Sequence, residues 1–143
     1  MSESQVELGW FVVKGQMASK SNRRQPRSKD GRVIRIEKSE AAKTFTDSAI
    51  LQLKVQAKHY VGYLPVKVQC GVILEIYYRD MRSDVDGELF YDCLQKAGIV
   101  VNDRLIRTKL VYGSVDKENP RVACKLFYEK NRIDDPPRFL YMQ

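Results

Sequence analysis

The sequence predicts an α+β domain in which one mixed or antiparallel sheet packs with two helices. Three observations lead to this fold class. A length of 143 residues suits one domain. The apolar run over residues 66–78 is typical of a central strand. Residues 40–57 and 88–97 show helical spacing and lie between strand-like segments, which favours an α+β order over a pure bundle or sandwich. We expect the domain to cover residues 1–130 and residues 131–143 to form an extended or mobile tail.

The first half of the chain predicts a strand, a loop, a short strand and a helix. Residues 5–14 are the first strand, residues 16–30 a polar loop, and residues 32–37 a short alternating strand. Ser39 is the expected N-cap of a helix over residues 40–57. The apolar face of that helix recurs at three-to-four spacing, in Ala42, Phe45, Ala49 and Leu53.

The second half predicts the central strand, a polar turn, a shorter helix and two final strands. The turn runs from Arg79 to Gly87, and the helix over residues 88–97 is expected to end at Gly98. One face of that helix carries Leu89, Cys93 and Ala97. The last strands are expected at residues 105–112 and 121–128, joined by a turn over residues 115–120.

Composition excludes several classes of protein. The chain contains no run of about 18 apolar residues, so no membrane-spanning helix is predicted. Residues 1–5 have neither the basic nor the apolar region of a secretory signal, so a cytoplasmic location is expected. The three cysteines lie in apolar runs without a C-x-x-C pair, and His59 is the single histidine. These features predict buried free thiols in a reducing compartment rather than a structural zinc site.

Three carboxylates are the candidate metal ligands. Asp84 and Asp86 form a D-x-D pair, and Asp103 follows 17 residues after Asp86. The chain carries a net charge of +7, and a bound Mg²⁺ or Mn²⁺ would reconcile bare carboxylates with a phosphate partner. In extended chain the D-x-D side chains point to the same side, and Asp103 joins them only if the chain reverses after the second helix. The alternative is a set of solvated acidic turns, as in most D-x-D occurrences.

A dense group of cations near the N-terminus is the candidate DNA contact. Nine Lys or Arg residues fall between residues 14 and 38, offset by Asp30 and Glu37. Such a segment is expected to follow a phosphate backbone, with Ser and Asn side chains donating further hydrogen bonds. The alternative is an unusually basic solvated loop. The predicted DNA-binding residues are Lys14, Lys20, Asn22, Arg23, Arg24, Arg27 and Lys29.

Other polar and aromatic residues receive simpler interpretations. Asp92 is expected to be an exposed helix carboxylate, and His59 a surface residue without a companion. The aromatic side chains in strands would stack on unpaired bases or, more often, pack in a core or interface. These are Trp10, Phe11, Tyr77 and Tyr78.

The stretch from Asp84 to Asp103 resembles the signature of RusA-type Holliday junction resolvases. That family shows a D-x-D-N turn, a helix containing D-A-L, an A-G end and a D-D pair that opens a strand. Residues 18–23 are similar to the family's basic loop after the first strand, and residues 117–122 to the turn entering its last strand. The resemblance covers residues 6–129.

The resemblance implies a RusA-like, dimeric, Mg²⁺- or Mn²⁺-dependent endonuclease of phage or prophage type. Such an enzyme binds four-way DNA junctions and nicks two strands symmetrically, with no small-molecule substrate. Asp84, Asp86 and Asp103 fall on the family's metal-binding aspartates.

The chain departs from the family pattern at Gly87, where the family has Asn, and at Asn102, where it has Asp. The segment between D-x-D and the aspartate within the helix is two residues shorter than expected for the family. The family's catalytic lysine has no counterpart, and Glu88 stands nearest. Three outcomes are open: Lys20 or Lys14 supplies its positive charge, turnover is slower, or Glu88 joins the metal site. The alternatives are a non-catalytic junction-binding protein and a nuclease that prefers forks or flaps.

Overall fold

The chain folds as a small α+β domain, which confirms the predicted fold class. A computed structural model describes residues 5–18, 24–29 and 31–129. Within those ranges no helix is long and apolar enough to cross a membrane. The strands are β1 (Gln5–Lys14), β2 (Arg24–Lys29), β3 (Arg32–Lys38), β4 (Cys70–Tyr78), β5 (Ile106–Val115) and β6 (Arg121–Glu129), and the helices are α1 (Glu40–Ala57) and α2 (Glu88–Lys96).

The main sheet is mixed and has four strands in the order β1-β6-β4-β5. β6 pairs antiparallel with both β1 and β4, whereas β4 and β5 run parallel from Cys70↔Ile106 to Tyr78↔Val115. The parallel pair requires a crossover, and α2 supplies it by returning the chain from the end of β4 to the start of β5. The turn before α2 and the segment after it therefore lie toward opposite ends of the sheet.

The predicted loop over residues 16–30 is wrong for residues 24–29. Those residues form β2, which pairs antiparallel with β3 in a separate two-stranded sheet. Sequence Arg24–Lys29 is polar throughout except for Pro26, so it lacks the apolar alternation that predicts a half-buried strand. Backbone pairing alone defines it.

The central strand begins at Cys70 rather than at residue 66. Val66 instead pairs with the segment that follows α2, because its N–H donates to Ile99 O at 2.9 Å and its carbonyl accepts from Val101 N–H at 3.1 Å. The apolar run that predicted one long strand is thus divided: Val66 pairs with the segment after α2, and the residues from Cys70 onward pair in the main sheet.

Local capping chemistry defines both helices as predicted. Ser39 Oγ accepts from Ala42 N–H at 3.2 Å and begins α1, whose predicted apolar face is buried. Gly98, with φ +77°, follows the end of α2, and its N–H donates to Gln95 O at 3.0 Å. Only glycine adopts that left-handed conformation without strain.

The core lies between the two helices and one face of the main sheet. Alternate residues of β4, from Cys70 to Tyr78, are buried on this face, and Phe90, Leu94 and Leu53 pack there from the helices. The predicted buried free thiols are confirmed for Cys70, Cys93 and Cys124. Burial raises the pKa of the Cys124 thiol, which keeps it protonated and unreactive.

Side chains of α1 cover the outer edge of β1. Gln56 accepts from Val12 N–H at 2.8 Å and donates to Val12 O at 2.7 Å, and Gln52 makes the same pair of bonds with Lys14 at 2.8 and 3.0 Å. The backbone groups of Val12 and Lys14 are therefore satisfied without another strand at this part of the edge. This arrangement also fixes α1 beside the end of β1, where the candidate site lies.

Candidate functional site

The D-x-D turn is anchored to the last residue of β4. The hydroxyl of Tyr78 donates to Asp84 O at 3.2 Å and accepts from Asp86 N–H at 3.3 Å. Tyr78 is only 3% exposed, so the anchor belongs to the core. One phenol therefore holds the backbone of both aspartates.

The residue between the two aspartates packs on the sheet. A Cβ built on Gly113 of β5 would overlap Val85 Cγ2 and lie 3.3 Å from Val85 Cβ. At the other side of the turn, a Cβ on Gly87 would lie 2.7 Å from Leu74 Cδ1. Two glycines thus let the turn approach the sheet closely, while Asp84 stays exposed and Asp86 half-buried.

The carboxylate of Asp86 also organises the start of α2. Its Oδ1 accepts from Glu88 N–H at 2.8 Å, which satisfies one of the free N–H groups of the first helical turn. Burial, followed by the negative charges of Asp86 and Glu88, raises the pKa of Tyr91 to about 12. The Tyr91 phenol therefore stays neutral beside the carboxylates over the physiological range.

Asp103 lies at the other end of α2. Its N–H donates to Gln95 Oε1 at 2.9 Å, and it begins a 3-10 turn capped by Asn102, whose Oδ1 accepts from Arg104 N–H at 2.9 Å. From Glu88 to Gln95 the helix rises about 10 Å at 1.5 Å per residue. Among the described residues no group of three or more His, Cys, Asp and Glu is arranged to hold a metal ion. The joining of Asp103 to the D-x-D pair stays a prediction.

The D-x-D pair by itself has the donor chemistry of a magnesium site. Carboxylate oxygens are hard ligands, and Mg²⁺ is commonly held by one or two carboxylates while it keeps several waters. Asp84 is exposed and Asp86 half-buried, so both side chains are within reach of solvent. The residues present fit a hydrated divalent cation.

The predicted DNA-binding residues are only partly described. Lys14 ends β1 and is exposed. Arg24, Arg27 and Lys29 lie on β2, in the hairpin. Lys20, Asn22 and Arg23 lie outside the described residues.

A cleft of about 450 Å³ adjoins the D-x-D turn, and the sequence interpretation missed most of it. We call it the Arg79 cleft. Its walls come from the end of β1, one face of α1 and the segment after β4 that contains Ser83, the residue before Asp84. The lining residues are Lys14, Gly15, Gln16, Met17, Ala18, Ala41, Thr44, Phe45, Ser48, Arg79 and Ser83.

Two hydrogen bonds donated by backbone N–H groups hold the walls of the Arg79 cleft together. Gln16 Oε1 accepts from Arg79 N–H at 2.8 Å and thus joins the chain after β1 to the chain after β4. Gly15, with φ +125°, turns the chain away from the sheet, and its N–H donates to Pro120 O at 3.0 Å. The cleft is therefore built on the ends of β1 and β4 and on α1, and the chain just before β6 supports it through the bond to Gly15.

The secondary candidates take structural positions. Asp92 forms an i,i+4 ion pair with Lys96 at 3.0 Å. Phe11 and Tyr78 are buried, whereas Trp10 is 50% exposed beneath Lys125. The Arg121 guanidinium stacks on Tyr77 at 3.7 Å from its ring centre. His59 is exposed, as predicted.

Comparison with known proteins assigns neither a family nor an activity. No family model matches the chain. A stretch of 94 residues is 34% identical to a protein named Trigger factor from Desulfatibacillum aliphaticivorans. The matched stretch covers 64% of this chain and 20% of that protein, so the chain spans about a fifth of the length of the curated relative.

Proposed function

We propose that this protein is a metal-dependent, structure-selective endodeoxyribonuclease that resolves four-way DNA junctions by paired symmetric nicks. The observation that carries the proposal is the anchored D-x-D turn beside the Arg79 cleft. Carboxylates and cations of opposite charge occupy one end of the sheet, with Asp84 next in sequence to the cleft residue Ser83. Binding of a divalent cation and of a phosphodiester side by side accounts for both.

In this proposal Asp84 and Asp86 would hold Mg²⁺, with Mn²⁺ as a substitute. The RusA resemblance adds Asp103 as a third ligand, but Asp103 lies at the other end of α2, so it would reach the ion only if the segment after α2 rearranged. A divalent cation held by these carboxylates would supply an activated water and neutralise charge on the phosphate. The chain's own contribution is geometric. Tyr78 fixes the backbone of the turn, and the Glu88 N–H orients the Asp86 carboxylate.

The cations would bind the DNA strands on either side of the cut. Lys14 and Arg79 line the Arg79 cleft, and the β2–β3 hairpin, which carries further basic residues, follows β1 in the chain. Each neutralised phosphate strengthens binding and steepens its dependence on salt. Without a divalent cation the negatively charged D-x-D pair would repel DNA, and a bound cation would offset that repulsion.

We further propose a homodimer that acts in the cytoplasm of a bacterium or phage-infected host. A four-way junction has approximate two-fold symmetry, and its resolution needs two nicks on matching strands. Two copies related by a two-fold axis present two identical D-x-D turns. Free buried thiols suit a reducing compartment.

A junction-binding protein without cleavage activity is the second candidate. Two features favour it. Helix α2 separates Asp86 from Asp103, and the first residues of α2 contain no lysine that would correspond to the family's catalytic lysine. In this alternative the cations still bind the junction, but the protein does not cleave it.

One cleavage panel tests the proposal. Labelled four-way junction, fork, flap and linear duplex are incubated with Mg²⁺, with Mn²⁺ and with chelator, and products are resolved on denaturing gels. The proposal expects symmetric nicks in the junction that need the divalent cation and exceed those in duplex. Tight binding of the junction with no cleavage in either metal would favour the second candidate, and preferential cutting of forks or flaps would reassign the substrate.

A further inference from the structure

We propose that the Arg79 cleft binds one phosphate–sugar unit of the DNA strand that is cut, next to the scissile phosphate. This inference rests on the proposed function, since it names the part of the substrate that the site holds. It assigns a binding role to Arg79, Thr44 and Ser83, none of which belongs to the basic segment predicted from the sequence.

The charge of the cleft points to an anion. Lys14 and Arg79 line it from two different strand ends. Among the residues that the structure describes, neither side chain has an ion-pair partner, in contrast to Arg121, which pairs with Asp116 at 2.8 Å. Two cationic residues in the lining of one cavity favour a phosphate over a neutral ligand.

The hydroxyl groups and the apolar floor point to a sugar phosphate rather than a bare ion. Thr44 on α1 and Ser83 after β4 are hydroxyl-bearing residues of the lining, and Ser48 Oγ accepts from Gln52 Nε2 at 2.9 Å. Met17 and Phe45 supply buried apolar surface. The volume of about 450 Å³ falls in the range of roughly 300–1,000 Å³ of pockets for small organic ligands, so it exceeds what one phosphate needs.

The position of the cleft specifies which phosphate it takes. Ser83 lines the cleft and is joined directly to Asp84, and the Tyr78 anchor fixes the turn that follows. A strand whose phosphate lies against Asp84 and Asp86 therefore places a neighbouring phosphate in the cleft. The cleft acts as a binding site for that neighbour and takes no part in bond breakage.

The test combines protein variants with neutralised phosphates. Methylphosphonate is placed at single positions along one junction strand, and dissociation constants are measured without divalent cation for wild type, for K14Q/R79Q and for K54Q/K58Q. Lys54 and Lys58 line a separate cavity of about 280 Å³ at the other end of α1, so the control removes the same charge elsewhere. K14R/R79K keeps the charge, and thermal unfolding of every variant verifies that it folds.

The inference expects one position at which methylphosphonate weakens junction binding by wild type and by K54Q/K58Q at least fivefold. At that position the dissociation constant of K14Q/R79Q should not change. K14Q/R79Q should also bind unmodified junction at least tenfold more weakly, with K14R/R79K largely restored. Equal penalties at every position in all variants would overturn the inference. If wild type cleaves junctions while the penalties are equal, the proposed function stands without the cleft. If the coupling appears but no metal supports cleavage, the cleft binds DNA and the nuclease proposal fails.

Discussion

Tyr78→Phe should impair cleavage by loosening the D-x-D turn while the fold persists. The substitution removes one buried hydroxyl and leaves the ring in the core. It deletes the bonds to Asp84 O at 3.2 Å and to Asp86 N–H at 3.3 Å, which tie the turn to β4. The turn is then held by Val85 on Gly113 and by the start of α2.

The expected magnitude follows from two neutral hydrogen bonds. Each contributes about 0.5–1.5 kcal/mol net, and the freed backbone groups are near enough to the surface to recover water. We expect the free energy of unfolding to fall by about 1–2 kcal/mol. If that energy holds the turn in its cleavage-competent geometry, the rate falls roughly 5- to 30-fold.

The matched control is Tyr77→Phe, which removes the neighbouring hydroxyl from the opposite face of β4. Its ring stays available to Arg121, and its hydroxyl contacts Glu75 rather than the turn. Single-turnover cleavage at saturating Mg²⁺ and urea unfolding are measured for both variants. Equal cleavage rates in Tyr78→Phe and Tyr77→Phe, with Tyr78→Phe destabilised as expected, would refute the anchoring role.

Three further predictions concern packing, ionisation and assembly. Gly113→Ala should destabilise the domain by about 1–2 kcal/mol by displacing Val85, and the added substitution Val85→Ala should restore most of the loss in urea unfolding; no restoration would place the clash elsewhere. Tyr91 should titrate near pH 12 in alkaline absorbance spectra. Because its pKa is higher in the folded than in the unfolded protein, its contribution to stability is complete below about pH 10 and is lost between pH 10 and 12. A Tyr91→Phe spectrum in which the late titration phase is unchanged would contradict this. Sedimentation at micromolar concentration should show a species near twice 16.6 kDa, and a monomer that persists on a junction would contradict paired nicking.

Local sequence chemistry predicted the parts of the fold that local interactions determine. Ser39 and Gly98 mark helix ends because capping depends on residues within one turn. Strand β2 escaped prediction because its pairing with β3 uses backbone groups, which no side-chain pattern records. The hydrogen bonds from Gln52 and Gln56 to the edge of β1 were also not predicted, since they join residues about 40 positions apart.

The candidate site divides in the same way. Asp84 and Asp86 are neighbours in sequence, so their shared turn was predictable. The Arg79 cleft was not, because Lys14, Thr44 and Arg79 come together only when β1, α1 and β4 pack. Asp103 depends on where the chain arrives after α2, and short motifs do not encode that distance.

Cleavage by aspartate variants tests the central claim most directly. Asp84→Asn, Asp86→Asn and Asp103→Asn are compared with Asp92→Asn, which removes a carboxylate paired with Lys96 on the same helix. Metal-dependent junction cleavage and junction affinity without metal are both measured. The account predicts that each of the first three abolishes cleavage and binds the junction at least as tightly as wild type, because a phosphate-repelling charge is lost, while Asp92→Asn cleaves normally. Near-wild-type cleavage by Asp84→Asn or Asp86→Asn at saturating Mg²⁺ would contradict the account.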